Sequence, residues 1–251
     1  MRTAEGAARS RGAERSRGTA YAFAWGGTLA FFLSLGFFLF SYVVTFGERV
    51  PPPPGTAPDR ATAAAVDILL FTAFALHHSV FARLRVRAWV ARIVPADLER
   101  SWYVWIASAL FVAVCLFWQP VEGVAWRLSG PARWLAFAAQ GVGIWLTLHS
   151  AAVIDIFELS GIRQLSPRAG RFEFKTAGPY GWVRHPIYTG WFLFVLGAPT
   201  MTMTRLVFAV VSCVYLLVAI PLEERSIRAS SAGAYDAYAK QVRWKLIPRL
   251  Y

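Results

Sequence analysis

The residues best suited to chemistry are concentrated between positions 178 and 190, in the stretch GPYGWVRHPIYTG. Pro186 suits the first position of a helix, where the N–H that proline lacks would have had no partner. His185 is therefore predicted to cap this helix, and Tyr188 lies within its first turn. The stretch is a candidate ligand site at a helix start.

Two glycines follow in the same segment. Gly190 and Gly197 are seven residues apart on one helix face, which allows another backbone or a ligand to approach closely. A plainer interpretation is that His185 and Tyr188 only anchor an ordinary helix at a membrane interface. The flanking glycines, an arginine and a second tyrosine favour the ligand site.

A second cluster, Glu223 and Glu224 followed by Arg225, stands where the last apolar segment ends. Acidic residues at a helix C-terminus oppose the helix dipole, at a cost of about 0.3–1 kcal/mol each. We expect this pair to accept hydrogen bonds from ligand hydroxyls or to balance a cation. The alternative is a solvated surface, on which Glu224 and Arg228 form an i,i+4 pair.

The four histidines allow a different chemistry, because imidazoles from facing helices can hold a haem. No motif places two of them at matched depth, so haem ligation is a minor alternative. His78 lies eleven residues after Asp67 on the same helix face. We interpret this pair as an intramembrane polar contact, or as groups that shape a buried cavity. Cys115 and Cys213 lie inside apolar runs without zinc or CxxC spacing, so no metal site is predicted.

The composition indicates that a membrane positions these residues. Of 251 residues 57% are hydrophobic and 16% charged, outside the soluble average. Apolar runs of about 20 residues suit a bilayer. Spans are expected at about Tyr21 to Phe46, Ala61 to Ala82, Trp102 to Val121, Arg133 to Ile154, Ile187 to Thr200 and Arg205 to Leu222.

The fifth of these segments is too short to cross a bilayer upright, since its helix would rise only about 21 Å. We expect it to be tilted or half-inserted and to form a hairpin with the sixth. The predicted fold is therefore an all-α, polytopic integral membrane protein with about six membrane segments. The last two form a helical hairpin next to a cytoplasmic cofactor pocket.

Basic residues are distributed unevenly between the apolar runs. Alternate gaps hold 21 of the 26 Lys and Arg residues, and the other gaps hold 5. This bias predicts an even number of crossings with both termini cytoplasmic. The polar loop from Asp155 to Arg184 and the C-terminal tail then share the cytoplasmic face, and a stiff outer loop runs from Pro51 to Pro58. The net charge of +12 is loop charge rather than a sign of nucleic-acid binding.

The first twenty residues are rich in Arg, Ala, Ser and Gly without an apolar period. This composition predicts a disordered basic N-terminal arm over residues 1–20. Residues 21–251 then form the membrane domain.

Residues 175–250 resemble the C-terminal half of the isoprenylcysteine carboxyl methyltransferase and phospholipid methyltransferase superfamily. The resemblance rests on Gly178-Pro-Tyr, the RHPIYTG motif ending at Gly190, Glu223-Glu224, Tyr235, Tyr238 and Ile247-Pro248. These membrane enzymes use S-adenosylmethionine. The resemblance therefore implies S-adenosyl-L-methionine as the cofactor, bound by about residues 175–250 of a membrane methyltransferase domain.

The N-terminal half is similar to the NnrU-related branch, which includes bacterial methanethiol S-methyltransferases. The similar segments are His77 to Arg83, Glu99 to Val104, Trp118 to Pro120, Phe157 to Gln164 and Ala198 to Thr202. Two departures are His77, where a Gln is expected, and Ala232 to Tyr235, where the family carries Phe-Gly. The branch implies a bacterial inner membrane.

The resemblance also implies roles for individual residues. Cofactor contacts are expected from Gly178, Tyr180, His185, Pro186, Tyr188, Gly190, Glu223 and Glu224. The helix start would bind the methionine carboxylate, the tyrosines would pack against the cofactor, and the glutamates would hold its ribose hydroxyls or amino group. Catalytic roles are expected for His185, Arg184 and Gln164, with His185 orienting the cofactor or accepting a proton. Substrate contacts are expected from His78 and Arg163.

The implied reaction is S-methylation of a small thiol, with methanethiol to dimethyl sulfide favoured. Alternatives are carboxyl methylation of an isoprenylcysteine-like or other lipophilic acceptor, and a non-enzymatic NnrU-like or haem-associated membrane protein. A transporter is least supported, because no internal repeat is found. The expected partners are a small lipophilic or volatile thiol and the lipid bilayer, without nucleic acid or an obligate protein partner.

Overall fold

A computed structural model describes residues 2–46, 58–154, 161–165 and 176–251. Its helices are α1 (Arg2–Phe40), α2 (Arg60–Phe81), α3 (Leu84–Val90), α4 (Glu99–Phe117), α5 (Gly130–Ile154), α6 (Pro186–Leu196), α7 (Met203–Ser230) and α8 (Ala234–Gln241). A π-helical turn, Ser41–Thr45, continues α1. The predicted all-α class is confirmed, apart from one pair of short strands.

The helices are built for a membrane. Five of them are long and apolar enough to span one: residues Arg17–Thr45, then α2, α4, α5 and α7. Their outer faces carry exposed apolar side chains such as Leu33, Leu69, Leu135 and Val218. The protein is therefore a polytopic membrane protein. Helix α6 is the short apolar segment expected from the sequence, and its eleven residues rise about 16 Å. The number of crossings stays a prediction.

Helix α1 includes most of the expected basic arm. The structure draws residues 2–20 as helix, continuous with the first span, and the disorder of this arm stays a prediction. The stretch contains no proline and is rich in alanine and arginine, which are strong helix formers. Most of the predicted outer loop from Pro51 to Pro58 lies outside the described residues, as does the segment 155–160.

Two strands close one end of the bundle. Strand β1 (Val124–Arg127) pairs antiparallel with β2 (Thr200–Thr202), and Arg205 donates to the carbonyls of Tyr42 and Val43 at 2.8 Å each. We call this the sheet end. The opposite end carries the C-terminal residues 242–251, called the tail, and we call it the tail end.

The short helix α6 makes its closest approach to α5. A Cβ on Gly143 would lie 2.5 Å from the carbonyl oxygen of Gly190, and a Cβ on Gly190 would lie 2.6 Å from that of Gly143. Gly197 likewise faces the carbonyl of Ala136 at 3.3 Å. The close approach expected at Gly190 and Gly197 is therefore to a helix. The cofactor contact expected at Gly190 and the hairpin of α6 with α7 stay predictions.

An aromatic core fills the sheet end. The ring of Phe38 lies 5.0–5.9 Å from those of Phe111, Trp191, Phe194 and Phe208, so that four helices meet at one side chain. Trp118 and Met201 are fully buried in the same cluster. This rigid half of the bundle supports a more polar half towards the tail end.

Candidate active site at the tail end

The start of α6 forms as the sequence predicts, with Pro186 at its first position and His185 as the capping residue. The tail fixes this start from outside. The N–H groups of Arg184 and His185 donate to the carbonyls of Trp244 and Lys245, at 2.9 Å each. The RHP motif is therefore held like a short strand against the chain's last ten residues.

The carboxylate of Glu224 is shared by all the ion pairs of a buried network. Its Oε1 accepts hydrogen bonds from Arg184 Nε (2.9 Å) and His185 Nε2 (3.3 Å), and its Oε2 accepts from Arg228 Nη2 (3.3 Å). The Arg184 and Glu224 side chains are only 9% and 5% exposed. Arg184 Nη1 also donates to the carbonyls of residues 242 and 243.

This network involves two of the expected site residues, Glu224 and Arg184, whose polar atoms face each other and the tail. The cofactor contact of Glu224 and the catalytic role of Arg184 stay predictions. The expected i,i+4 pair with Arg228 is present, on a buried carboxylate rather than a solvated one. Arg184 and Glu224 therefore join α6, α7 and the tail, and they position the neighbouring groups.

Glu223 forms the open part of the site. Its side chain is 44% exposed, and its Oε2 accepts a hydrogen bond from Tyr188 Oη at 2.7 Å. The same oxygen lies 3.7 Å from His185 Nδ1. The His185 ring stacks on Tyr188 with the planes 12° apart. Both nitrogens of His185 thus face carboxylates, and an aromatic pair stands beside an accessible acid.

Tyr180 borders the same open face. It lies in the 3₁₀ turn Gly178–Gly181, which Gly178 enters with a φ of 61°, in the left-handed region that glycine adopts freely. The carbonyl of Tyr180 accepts a hydrogen bond from Tyr238 Oη at 2.8 Å. Burial raises the pKa of Tyr180, and the carboxylate of Glu223 raises that pKa further. Tyr180 is therefore a neutral side chain near Glu223, and a hydrogen bond to its backbone carbonyl holds it in place.

His78 lines an internal cleft. It follows Asp67, Phe71 and Ala75 on the inward face of α2, and these three residues are buried. The His78 side chain is accessible, although its ring stacks on Phe74 and its Nδ1 lies 2.8 Å from Tyr103 Oη. An accessible side chain on the inward face of a helix borders a space between helices.

Polar groups connect this space to Glu223. Ser79 Oγ lies 2.8 Å from Tyr215 Oη, and Tyr188 is close enough to Tyr215 and Tyr103 for electrostatic interaction. Tyr215 interacts with Glu223 in the same way. We call the space bordered by His78, Ser79, Tyr103, Tyr188 and Tyr215 the central cleft. It lies between α2, α4, α6 and α7.

The expected contact between Asp67 and His78 is absent. Eleven residues separate them by about 16 Å along α2. Asp67 Oδ1 instead accepts a hydrogen bond from the N–H of Gln119 at 2.7 Å, towards the sheet end. His149 stacks on Trp145 near the C-terminal end of α5. Within the described ranges, no group of three or more His, Cys, Asp or Glu side chains is placed to hold a metal ion.

Arg163 and Gln164 lie in a separate described segment, residues 161–165. Gly161 packs against Ser101 at the start of α4, and Tyr21 Oη donates to the carbonyl of Leu165 at 3.0 Å. The structure therefore places this segment against α1 and α4, whereas Arg184, His185, Tyr188, Glu223 and Glu224 form one cluster. The catalytic role of Gln164 and the substrate role of Arg163 stay predictions.

Sequence reasoning missed two sets of residues. Tyr215 is an ordinary member of an apolar helix, and Ser79 and Tyr103 were noted only as parts of similar segments. The tail contacts at positions 244 and 245 are made by backbone carbonyls, which every residue carries, so the residue types there do not reveal them. The only local sign of the tail's role was the motif Ile247-Pro248.

Comparison with known proteins identifies the family. Residues 131–229 match the phospholipid methyltransferase family. A Crocosphaera subtropica protein named methanethiol S-methyltransferase is 37% identical over 187 residues, covering 72% of this chain and 73% of the relative. The Bradyrhizobium diazoefficiens methanethiol S-methyltransferase 2 is 33% identical over 229 residues, covering 89% of this chain and 86% of the relative. The chain belongs to the methanethiol S-methyltransferase family.

Membership of this family makes the protein a membrane methyltransferase, which requires a methyl donor. The matched residues 131–229 include α6 and nearly all of α5 and α7, and with them the RHP motif and both glutamates of the site. Human nurim is also similar, at 29% identity over 194 residues, covering 68% of this chain and 71% of nurim. No solved structure matches the chain.

Proposed function

We propose that this protein transfers a methyl group from S-adenosylmethionine to methanethiol, giving dimethyl sulfide. One observation carries the proposal: an accessible carboxylate, Glu223, stands beside a stacked aromatic pair at a helix start and opens towards the central cleft. The names of the relatives support the thiol acceptor.

The residues at the start of α6 fit S-adenosylmethionine, which supplies a methyl group activated by a sulfonium charge. Glu223 can accept hydrogen bonds from ribose hydroxyls or from an ammonium group. The faces of Tyr188 and Tyr180 suit a cation, at about 0.5–2 kcal/mol for such a contact. The first N–H groups of α6, from Ile187 onward, have no partner within the helix and suit a carboxylate.

The network beneath this surface supplies rigidity. Glu224, Arg184 and the tail hold His185, so that the His185–Tyr188 stack keeps one orientation. Methyl transfer is a displacement at carbon, and its rate depends on holding nucleophile, methyl group and leaving sulfur in line. A site built on helix ends and tied by buried ions meets that need.

The site's location suits two reactants from different phases. With both termini in the cytoplasm of a bacterial inner membrane, the tail end faces the cytoplasm, from which S-adenosylmethionine arrives. A small lipophilic thiol dissolves in the bilayer and reaches the central cleft between the helices. Gly178, Pro186 and His185 then shape the cytoplasmic side, and His78 borders the acceptor side.

The direct test is donor binding by calorimetry, with the protein in nanodiscs and a chelator present. S-adenosylmethionine and its demethylated product should both bind. Membranes containing the protein should then form labelled dimethyl sulfide from methanethiol and labelled donor. Absence of donor binding by folded protein refutes the proposal. A prenylcysteine is tested as a second acceptor in the same assay. If the label passes only to its carboxylate, that acceptor replaces methanethiol in the proposal.

A further inference from the structure

We propose that His78 is the general base that takes the proton from the thiol, and that Tyr103 is its positioning residue. The inference rests on the proposed function and specifies the acceptor side of that site. It starts from an imidazole at the central cleft that is accessible on the inward face of α2 and lies 2.8 Å from Tyr103 Oη.

Hydrogen bonds define which nitrogen of His78 carries the proton. The N–H of Ala82 bonds to the carbonyl of Val80, whereas in a continuing helix it would bond to the carbonyl of His78. Tyr103 Oη lies 3.2 Å from the His78 carbonyl, to which it donates its single proton. Tyr103 Oη also lies 2.8 Å from His78 Nδ1, and in the tautomer that we propose Nδ1–H donates to this oxygen. In the neutral ring Nε2 is then the acceptor, as a base requires.

His185, the histidine of the ionic network at the start of α6, is already engaged. His185 Nε2 faces Glu224 at 3.3 Å and Nδ1 faces Glu223 at 3.7 Å, so both nitrogens interact with carboxylates. His185 is thus suited to the donor side. His78 is the imidazole that borders the cleft without a carboxylate partner among the described residues.

The surroundings of His78 favour an anionic sulfur. The Arg100 guanidinium lies 4.6 Å from the centre of the Tyr103 ring, and it interacts electrostatically with His78. His77 is the other charged or titratable neighbour that acts on His78 directly. Two acids act on the surrounding tyrosines: Glu99 on Tyr103, and Glu223 on Tyr188 and Tyr215. Glu99 is paired with Arg87 at 3.0 Å, so its charge is balanced.

The proton balance is simple. The S–H bond breaks, its electron pair stays on sulfur, and the proton binds to His78 Nε2. The sulfur pair then forms a bond to the methyl carbon, while the electrons of the carbon–sulfonium bond pass to the donor's sulfur. The imidazolium releases its proton to solvent after the product leaves.

The test compares two small thiols that differ in acidity, methanethiol and the more acidic 2,2,2-trifluoroethanethiol. The assay pH lies between their pKa values, so only the fluorinated thiol is largely ionised without a base. In His78→Gln we expect kcat/KM to fall roughly 100- to 10,000-fold with methanethiol. With trifluoroethanethiol we expect a loss at least tenfold smaller. His77→Gln removes the neighbouring imidazole and serves as the matched control, with similar losses for both thiols or none.

Donor affinity separates this inference from the proposed function. If the unaltered protein fails to bind S-adenosylmethionine, the proposed function fails. If His78→Gln binds the donor normally but loses activity equally with both thiols, His78 is not the base. Tyr103→Phe should show a smaller loss with the same dependence on thiol acidity, and it carries the test if His78→Gln does not fold. If Tyr103→Phe lowers kcat/KM equally with both thiols, the Tyr103 hydroxyl contributes only to packing. That result would overturn its assignment as the positioning residue of His78.

Discussion

Glu223 and Glu224 are adjacent, yet their replacement by glutamine should have opposite consequences. Glu224 is 5% exposed and balances Arg184, which is 9% exposed. Removing one partner of a buried ion pair costs about 3–5 kcal/mol. The amide of glutamine still accepts a hydrogen bond, so we expect the lower end for Glu224→Gln, about 3 kcal/mol.

For a chain of this length each kcal/mol corresponds to roughly 2–4 °C in Tm. Glu224→Gln should therefore lower Tm by about 6–12 °C. Glu223 is 44% exposed and shares one hydrogen bond with Tyr188. Its replacement by glutamine should cost about 1 kcal/mol or less in stability, but about 1.5–3 kcal/mol in donor binding. The dissociation constant for S-adenosylmethionine should rise roughly 10- to 150-fold.

The assay measures both quantities on both variants in nanodiscs. Tryptophan fluorescence at one fixed heating rate gives an apparent Tm, and calorimetry gives the donor dissociation constant at a temperature where both variants are folded. The reasoning is refuted if Glu224→Gln melts within about 2 °C of the unaltered protein and loses only donor affinity. A destabilised Glu223→Gln with normal donor binding would refute it equally.

Two further predictions concern packing and orientation. Gly143→Ala should destabilise the protein by about 1–3 kcal/mol in a thermal melt, because its Cβ would meet the Gly190 carbonyl at 2.5 Å; Gly141→Ala, on the same helix with no neighbour within 4 Å, should be neutral or stabilising. Reporter fusions after Tyr251 and within residues 47–57 should report opposite compartments, with the C-terminus cytoplasmic, and an external C-terminus would contradict the orientation drawn from the basic residues.

The sequence by itself determined the membrane class, the helical segments and the RHP helix start. Each of these depends on local properties: runs of apolar residues, breaks at proline and glycine, and the missing N–H of Pro186. Helix bounds moved by a few residues where a turn intervened, as at Phe117 before Trp118 and Pro120. The resemblance of the motifs to a methyltransferase superfamily likewise survived comparison with known proteins.

Only the tertiary structure decided how the individual residues are used. Glu223 and Glu224 are indistinguishable in sequence, but the turn of α7 directs one carboxylate to Arg184 and leaves the other accessible. The close approach that Gly190 allows is made to α5, which the sequence does not show. Tyr103 reaches His78 across 25 residues, and the tail carbonyls reach Arg184 and His185 across about 60. These contacts depend on how whole helices pack, because partners far apart in sequence leave no pattern within either segment.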